Sequence, residues 1–352
     1  MCGSADSAKG KAVGGLTSEG SRLQESSAVG GMIPVVDISG WDTGGDAGRA
    51  AIAVVVDDAA SALGIMQIMG HGIPMSAVQA FTEALDALFA LPLEEKRKLR
   101  ASLPGTGRGY IPQRAEKLSP TAAADLFEAF EIGSQGSDFP GLDLPPAHYP
   151  PNNWPPLLGF REVVEKLYAQ LGEFTRRLTG IFSYALGVEE SYFVPFTDHP
   201  IATLRMNHYP HPGTDSALDR NQIGMGAHTD YGILTVLWVD NVQGLQVLTS
   251  RGSWLDVRPE PGCLLVNLGD LLARWTNDRW RSALHRVLPP TDDEGNAVRR
   301  RSAAYFHDGN WDAEIRCLPN CIPPGATPRY QPITIGQYIT ERRSGRMYST
   351  SY

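Results

Sequence analysis

Gly226-Ala227-His228-Thr229-Asp230-Tyr231-Gly232, running straight into Ile233-Leu234-Thr235-Val236-Leu237-Trp238-Val239, places an imidazole and a carboxylate one residue apart at the threshold of an apolar strand. In a β-strand residues i and i+2 share a face, so His228 and Asp230 present their side chains together while Thr229 points away. That is a chelating pair. A third ligand can come from any facing strand, and the strand-like SALHRVLPP (282–290) offers His285.

Working outward, the chain beyond residue 199 has the texture of short strands between turns: IATLRMNHYP (201–210), GLQVLT (244–249), GCLLVNLG (262–269) and RRSAAYFHD (300–308). Repeated short strands indicate an antiparallel sandwich or barrel. Upstream, IPVVDIS (33–39) and GIMQIMGHGIP (64–74) read as strands, the second with a turn in which His71 caps the backbone. Helices are expected over 57–63 with the Ala/Val-rich run before it, over 78–99, where Phe81, Leu85, Leu88 and Phe89 recur at helical spacing, and over 159–186. The Gly- and Pro-dense stretch 102–157 reads as long ordered loops. A short helix is expected at 335–343. Residues 1–31, rich in Gly, Ser and Ala, cannot offset their ordering entropy and read as a disordered tail. The plan is mainly β with flanking helices: an N-terminal region over 32–157, a bracing helix within 158–198, a β core over 199–312 and a C-terminal segment over 313–352.

Composition removes several function classes. Thirty-one Lys and Arg against 39 Asp and Glu give a net charge of -8, which argues against a nucleic-acid backbone binder. No apolar run approaches the length of a membrane span, and the N-terminus lacks a signal-peptide core. Four cysteines in 352 residues make no disulfide framework, and Cys317-x-x-x-Cys321 has no further zinc ligands nearby, so a reducing cytoplasm fits. A monomer or weak homodimer is expected.

Two more pairs bear on the chelating pair. Arg300 and Ser302 lie two apart in RRRSAAYF (299–306), so one face offers a guanidinium beside a hydroxyl, with Ala304 and Phe306 continuing it. A guanidinium matches a carboxylate through two parallel charge-assisted hydrogen bonds, and the hydroxyl adds a third. Asn207 and Tyr209 likewise share a face. Two imidazoles and one carboxylate leave the remaining metal positions open, as in non-haem Fe(II) oxygenases. The alternative for Arg299-Arg300-Arg301 is a solvated basic edge.

The order Asn-x-Tyr-Pro (207–210), His-x-Asp (228–230), His285 and Arg-x-Ser (300–302) resembles the isopenicillin N synthase-like branch of the Fe(II)/2-oxoglutarate-dependent oxygenases. GHGIP (70–74), LPLEEK (91–96), GRGYIP (107–112), NNWPP (152–156), GLQVL (244–248) and NLGDLLARWTNDRWRSALHRV (267–287) extend the resemblance over nearly everything after the tail. It implies a double-stranded β-helix, or jelly-roll, core with an N-terminal helical region. It implies Fe(II) on His228, Asp230 and His285, and 2-oxoglutarate chelating the iron with its distal carboxylate on Arg300 and Ser302, assisted by Tyr209 and Asn207. O2 takes the remaining position. The expected activity is hydroxylation or desaturation of a small molecule in secondary metabolism, with succinate and CO2 as coproducts. Tyr110, Phe306, Tyr231 and His307 are the expected substrate-pocket residues. Asp at 230 gives no support to halogenation.

The chain departs from the family at His208, where relatives carry Tyr, and at His211-Pro212-Gly213. Alternatives stay open. A 2-oxoglutarate-independent iron oxidase of the isopenicillin N synthase type also carries Arg-x-Ser, and a catalytically inactive binding protein could keep the fold. A zinc hydrolase uses the same three donors but leaves Arg300 and Ser302 without a role.

Overall fold

The computed structural model describes residues 32–100, 107–113, 115, 127–210 and 224–343. The expected tail and the His211-Pro212-Gly213 departure lie outside them. The described chain opens with β1 (Val35–Asp37), α1 (Gly45–Ala62), β2 (Ile65–Met69), α2 (Met75–Phe89) and α3 (Leu93–Lys98). β3 (Gly109–Ile111), β4 (Glu128–Gly133) and the long α4 (Phe160–Ala185) follow. Then come β5 (Pro200–Tyr209), β6 (Met225–His228), β7 (Leu234–Val239), β8 (Leu245–Leu248), β9 (Trp254–Asp256) and β10 (Leu264–Leu268). The chain closes through α5 (Asp270–Trp275), β11 (His285–Val287), β12 (Arg300–Asn310), β13 (Glu314–Ile315), β14 (Ile333–Thr334) and α6 (Ile335–Arg343).

Eight strands form one sheet in the order β1-β2-β10-β7-β12-β5-β4-β3, and four form a second, β6-β11-β8-β9. Alternation along the strands sorts the side chains between two cores. Ile65, Ala129, Tyr209, Leu265, Leu245, Val247 and Val287 pack between the sheets. Met66, Phe130, Leu204, Met206, Val236, Val266 and Tyr305 face outward and meet Phe81, Leu85, Leu171, Phe174 and Leu178 of α2 and α4. The jelly-roll core is therefore braced by helices on the outer face of the large sheet.

Two local readings change. The helix expected over 78–99 is two helices, because Pro92 supplies no N–H and its ring opposes continuation; α2 stops at Phe89 and α3 restarts after Pro92. The loops expected over 102–157 contain β3 and β4, which extend the large sheet. β4 reads poorly from sequence because Glu128 and Glu131 interrupt its apolar pattern. Both are buried, held by Lys96 and Arg205 respectively, partners far away in sequence. The N-terminal region is thus not only a helical brace. It contributes four strands, β1 to β4, to the main sheet.

Candidate active site

The second sheet carries the two imidazoles. His228 ends β6, His285 opens β11, and the two are directly paired across the ladder with ring centroids 4.4 Å apart. Their Nδ1 atoms are engaged by backbone carbonyls two residues upstream, Gly226 O at 2.8 Å and Ala283 O at 2.9 Å. A carbonyl can only accept, so each Nδ1 carries the proton and each Nε2 presents its lone pair. Those lone pairs converge on Asp230 Oδ1, at 3.7 Å from His228 Nε2 and 4.0 Å from His285 Nε2.

Asp230 lies just past β6, not on it. Its free oxygen is fixed by two hydrogen bonds, from Thr235 Oγ1 at 2.6 Å and Asn267 Nδ2 at 2.5 Å. Thr235 and Asn267 face each other on β7 and β10. One carboxylate oxygen is thus held while the other stays open toward the imidazoles. Burial, then neighbouring His285, pushes His228 down to about 4, so its ring is neutral at physiological pH. Burial opposes the Asp230 charge, but His285, His228 and the two hydrogen bonds hold its pKa below the ordinary carboxylate value. Two imidazoles with carbonyl-anchored Nδ1–H, the His228 ring neutral, and an ionised, anchored carboxylate form the donor set that binds a transition metal. The three ligand atoms all lie within 4.8 Å of one another, and the residues fit a metal ion.

The large sheet supplies the second half of the site. Arg300 opens β12 opposite Tyr209, and Ser302 lies opposite Asn207. Arg300 is 1% exposed, its plane 5.3 Å from the Tyr209 ring centroid, with Nη1 at 3.4 Å from Ser302 Oγ. Asn207 Nδ2 reaches the same hydroxyl at 3.5 Å. Among the described residues no carboxylate lies within ion-pair distance of Arg300, Asp240 acting on it only electrostatically, and its Nε has no hydrogen-bond partner. A buried cation in that condition calls for an anion from outside the chain.

The four expected pocket residues divide. Phe306 lies on β12 with Arg300 and Ser302 on the same alternation, opposite Thr203 and Thr235. Tyr231 follows Asp230 directly and lies under Arg342 of α6, 4.8 Å from guanidinium to ring. Tyr110 and His307 are not brought to this site. Tyr110 sits opposite Phe130 on the outer face and bonds Glu128. His307 pairs with Ala202 and Leu234, also outward, where burial and Arg176 of α4 push its pKa down to about 4. For both, strand alternation decides: each is one residue out of phase with the inward set.

Sequence reasoning missed Thr235 and Asn267, although each is a single polar residue in an otherwise apolar strand, which was a usable signal. It also missed the inward charges Glu131, Arg205 and Arg108. Arg205 bonds Glu131 Oε1 at 2.8 Å and Asn207 Oδ1 at 3.1 Å, continuing the polar row from Arg300 toward β4. Arg108 is buried against Thr203 Oγ1 at 3.3 Å and Ser134 O at 3.3 Å.

A jelly roll with a two-histidine, one-aspartate cluster at one end and a buried guanidinium on the adjoining sheet defines a non-haem iron oxygenase. Comparison with known proteins agrees. The profile of the 2OG-Fe(II) oxygenase superfamily matches residues 200–309. That of the N-terminal region described as non-haem dioxygenase in morphine synthesis matches residues 33–157. The 2-oxoglutarate-Fe(II) type oxidoreductase hxnY of Emericella nidulans is 38% identical, over 87% of this chain and 88% of its own. Validamycin A dioxygenase of Streptomyces hygroscopicus subsp. limoneus is 31% identical over 89% and 86%. A full-length Neurospora crassa protein solved with alpha-KG superposes with a TM-score of 0.80 at 28% identity, covering 90% of this chain and 97% of that one. The chain belongs to the 2-oxoglutarate- and Fe(II)-dependent oxygenases. It is an oxidoreductase using Fe(II), 2-oxoglutarate and O2, and its substrate is a small molecule. No helix among the described residues is long and apolar enough to cross a membrane.

Proposed function

We propose that His228, Asp230 and His285 hold the iron and that Arg300 and Ser302, with Tyr209 and Asn207, seat the distal carboxylate of 2-oxoglutarate. The observation that carries this reading is the buried Arg300 guanidinium, which has no carboxylate within ion-pair distance among the described residues, on the sheet that faces the cluster. Bound Fe(II) supplies the redox chemistry that couples O2 and 2-oxoglutarate to removal of hydrogen from a substrate carbon. The chain does the rest. The carbonyls of Gly226 and Ala283 fix the ring tautomers, Thr235 and Asn267 fix the Asp230 rotamer, and Ser302 and Tyr209 orient the Arg300 fork. Phe306 walls the site with apolar surface and limits water near the reacting centre.

The reaction is hydroxylation or desaturation of a small polar metabolite, with a place in secondary metabolism. Relatives named validamycin A dioxygenase and proline hydroxylase, and the Neurospora crassa structure with thymine, support a polar substrate. Free Cys263, Cys317 and Cys321 fit a reducing cytoplasm, and we propose a monomer or weak homodimer there. Anaerobic addition of Fe(II) and 2-oxoglutarate is expected to give a metal-to-ligand charge-transfer band that Arg300→Ala weakens and His228→Ala abolishes. A wild-type protein without that band sinks the assignment.

A further inference from the structure

Glu128, Glu131, Asp230 and Asp308 are the buried acids among the described residues. Glu128 takes hydrogen bonds from Lys96, Tyr110 and His208, Glu131 from Arg205, and Asp230 from Thr235 and Asn267. Asp308 is 9% exposed, and its side chain makes no hydrogen bond or ion pair among the described residues. It occupies the bulge where β12 slips against β5, between His307 and Gly309. Bulges re-aim a side chain out of the regular alternation.

The bulge sets the Asp308 carboxylate against the backbone of Gly232, two residues past Asp230. A Cβ at Gly232 would come within 1.9 Å of Asp308 Oδ1, so the glycine is what leaves room for the carboxylate there. Asp230, Arg108 and the α6 residue Arg343 act on it electrostatically, and none of them bonds it. Asp308 therefore lies against Gly232, within electrostatic reach of Asp230, of Arg108 just before β3 and of Arg343 on α6, with Phe306 two residues before it on the same strand.

We propose that Asp308 selects the substrate by accepting a hydrogen bond from an N–H or O–H group of the bound molecule. This rests on the reading above that substrate reacts beside His228, Asp230 and His285. A carboxylate that loses water on burial takes up a proton or needs a donor, and among the described residues no group donates a hydrogen bond to Asp308. The occupant that meets this need is a polar molecule with a donor group close to its reacting carbon. An apolar molecule of the same shape leaves Asp308 unsatisfied and is rejected.

The test uses the full chain loaded with Fe(II) and 2-oxoglutarate, offered two matched pairs: thymine against 1,3-dimethylthymine, and L-proline against tetrahydrofuran-2-carboxylate. Succinate release and Tm are read for wild type, Asp308→Asn and Asp308→Ala. Wild type is expected to respond to the donor-bearing member of a pair. In Asp308→Ala that preference falls about tenfold or more, mainly through KM, with Asp308→Asn in between because its amide oxygen still accepts. Equal response of wild type to both members, or an unchanged preference in Asp308→Ala, overturns the proposal. Tm without any probe is a second arm, decisive if no probe responds. Removing a partnerless buried charge leaves Tm unchanged or higher, whereas a fall in both variants reveals a structural partner and overturns the proposal. The charge-transfer band separates the two readings, because its absence in wild type sinks the iron and cosubstrate assignment while the Tm arm still tests Asp308.

Discussion

The two faces of the large sheet, one residue apart in sequence, differ in how buried charge is met, although the inner face also carries the bonded pair Glu131 and Arg205. On the outer face Lys96 Nζ bonds Glu128 Oε2 at 2.8 Å and Phe89 O at 3.0 Å, while His208 Nδ1 lies 3.0 Å from Glu128 Oε1 and stacks on Phe89. Every member of that group is satisfied by the chain. On the inner face, among the described residues, Arg300 has an unbonded Nε and no carboxylate within ion-pair distance, with Asp240 acting on it electrostatically, and no hydrogen bond is donated to the Asp308 carboxylate. A folded chain tolerates a buried charge when it is paired, so the paired set reads as architecture and the unpaired one as ligand sites. The contrast also explains His208, the departure from the family Tyr: it belongs to the outer, structural group.

The largest effect expected from breaking this contrast is at the inner metal cluster. His228→Ala should cost more Fe(II) affinity than the roughly 100-fold that even outer-layer partners of a ligand contribute, measured by anaerobic metal titration. On the outer face, Glu128→Ala strands Lys96 in the core and should lower unfolding free energy by about 3–5 kcal/mol in urea melts. Its 2-oxoglutarate affinity should stay close to wild type.

Arg300→Met should act the other way round. It weakens 2-oxoglutarate by about a hundredfold, yet leaves the protein without cosubstrate at least as stable as wild type, because an unpaired buried cation is gone. A large fall in Tm would place Arg300 with the architecture instead. Asn267→Ala, which removes one of the two hydrogen bonds that hold Asp230 Oδ2, should reduce Fe(II) affinity about tenfold to a hundredfold.

The smallest effect is a pH signature of opposite sign on the two faces. Burial opposes the Glu128 charge, but hydrogen bonds from His208, Lys96 and Tyr110 win and hold its pKa below the ordinary 4.5. Its contribution is present above that value and lost as pH falls through the lowered pKa. Burial pushes Asp308 from 3.8 up to about 7, with Arg343 and Arg108 opposing and Asp230 adding to the rise. A raised acid favours the fold while protonated, so that stability is lost as pH climbs through about 7. Tm scans from pH 2.5 to 8 should therefore show the Glu128→Gln deficit shrinking only below about pH 4.5. Asp308→Asn should gain on wild type toward pH 8.

Much of the site was legible because strand alternation is a local rule. Arg300 and Ser302 in RRRSAAYF, and Asn207 and Tyr209, each share a face through spacing alone, whereas His228 and Asp230 in GAHTDYG come together although Asp230 lies past the end of β6. The same rule misplaced Tyr110 and His307, because spacing does not say which face is inward. That depends on register with Phe130, Ala202 and Leu234, residues from other strands. β4 was illegible for a related reason: Glu128 and Glu131 read as surface until Lys96 and Arg205 arrive to pair them.

The sequence by itself determined the donor types, their pairing by twos along each strand, the helical brace and the glycine after Asp230. Only the tertiary structure decided which buried charges find a partner. Satisfaction of a charge is a property of two residues brought together from distant strands, and a single strand carries information about one of them. Gly232 shows the division: the sequence alone gives it no role, and in the fold it is the space in which the Asp308 carboxylate sits.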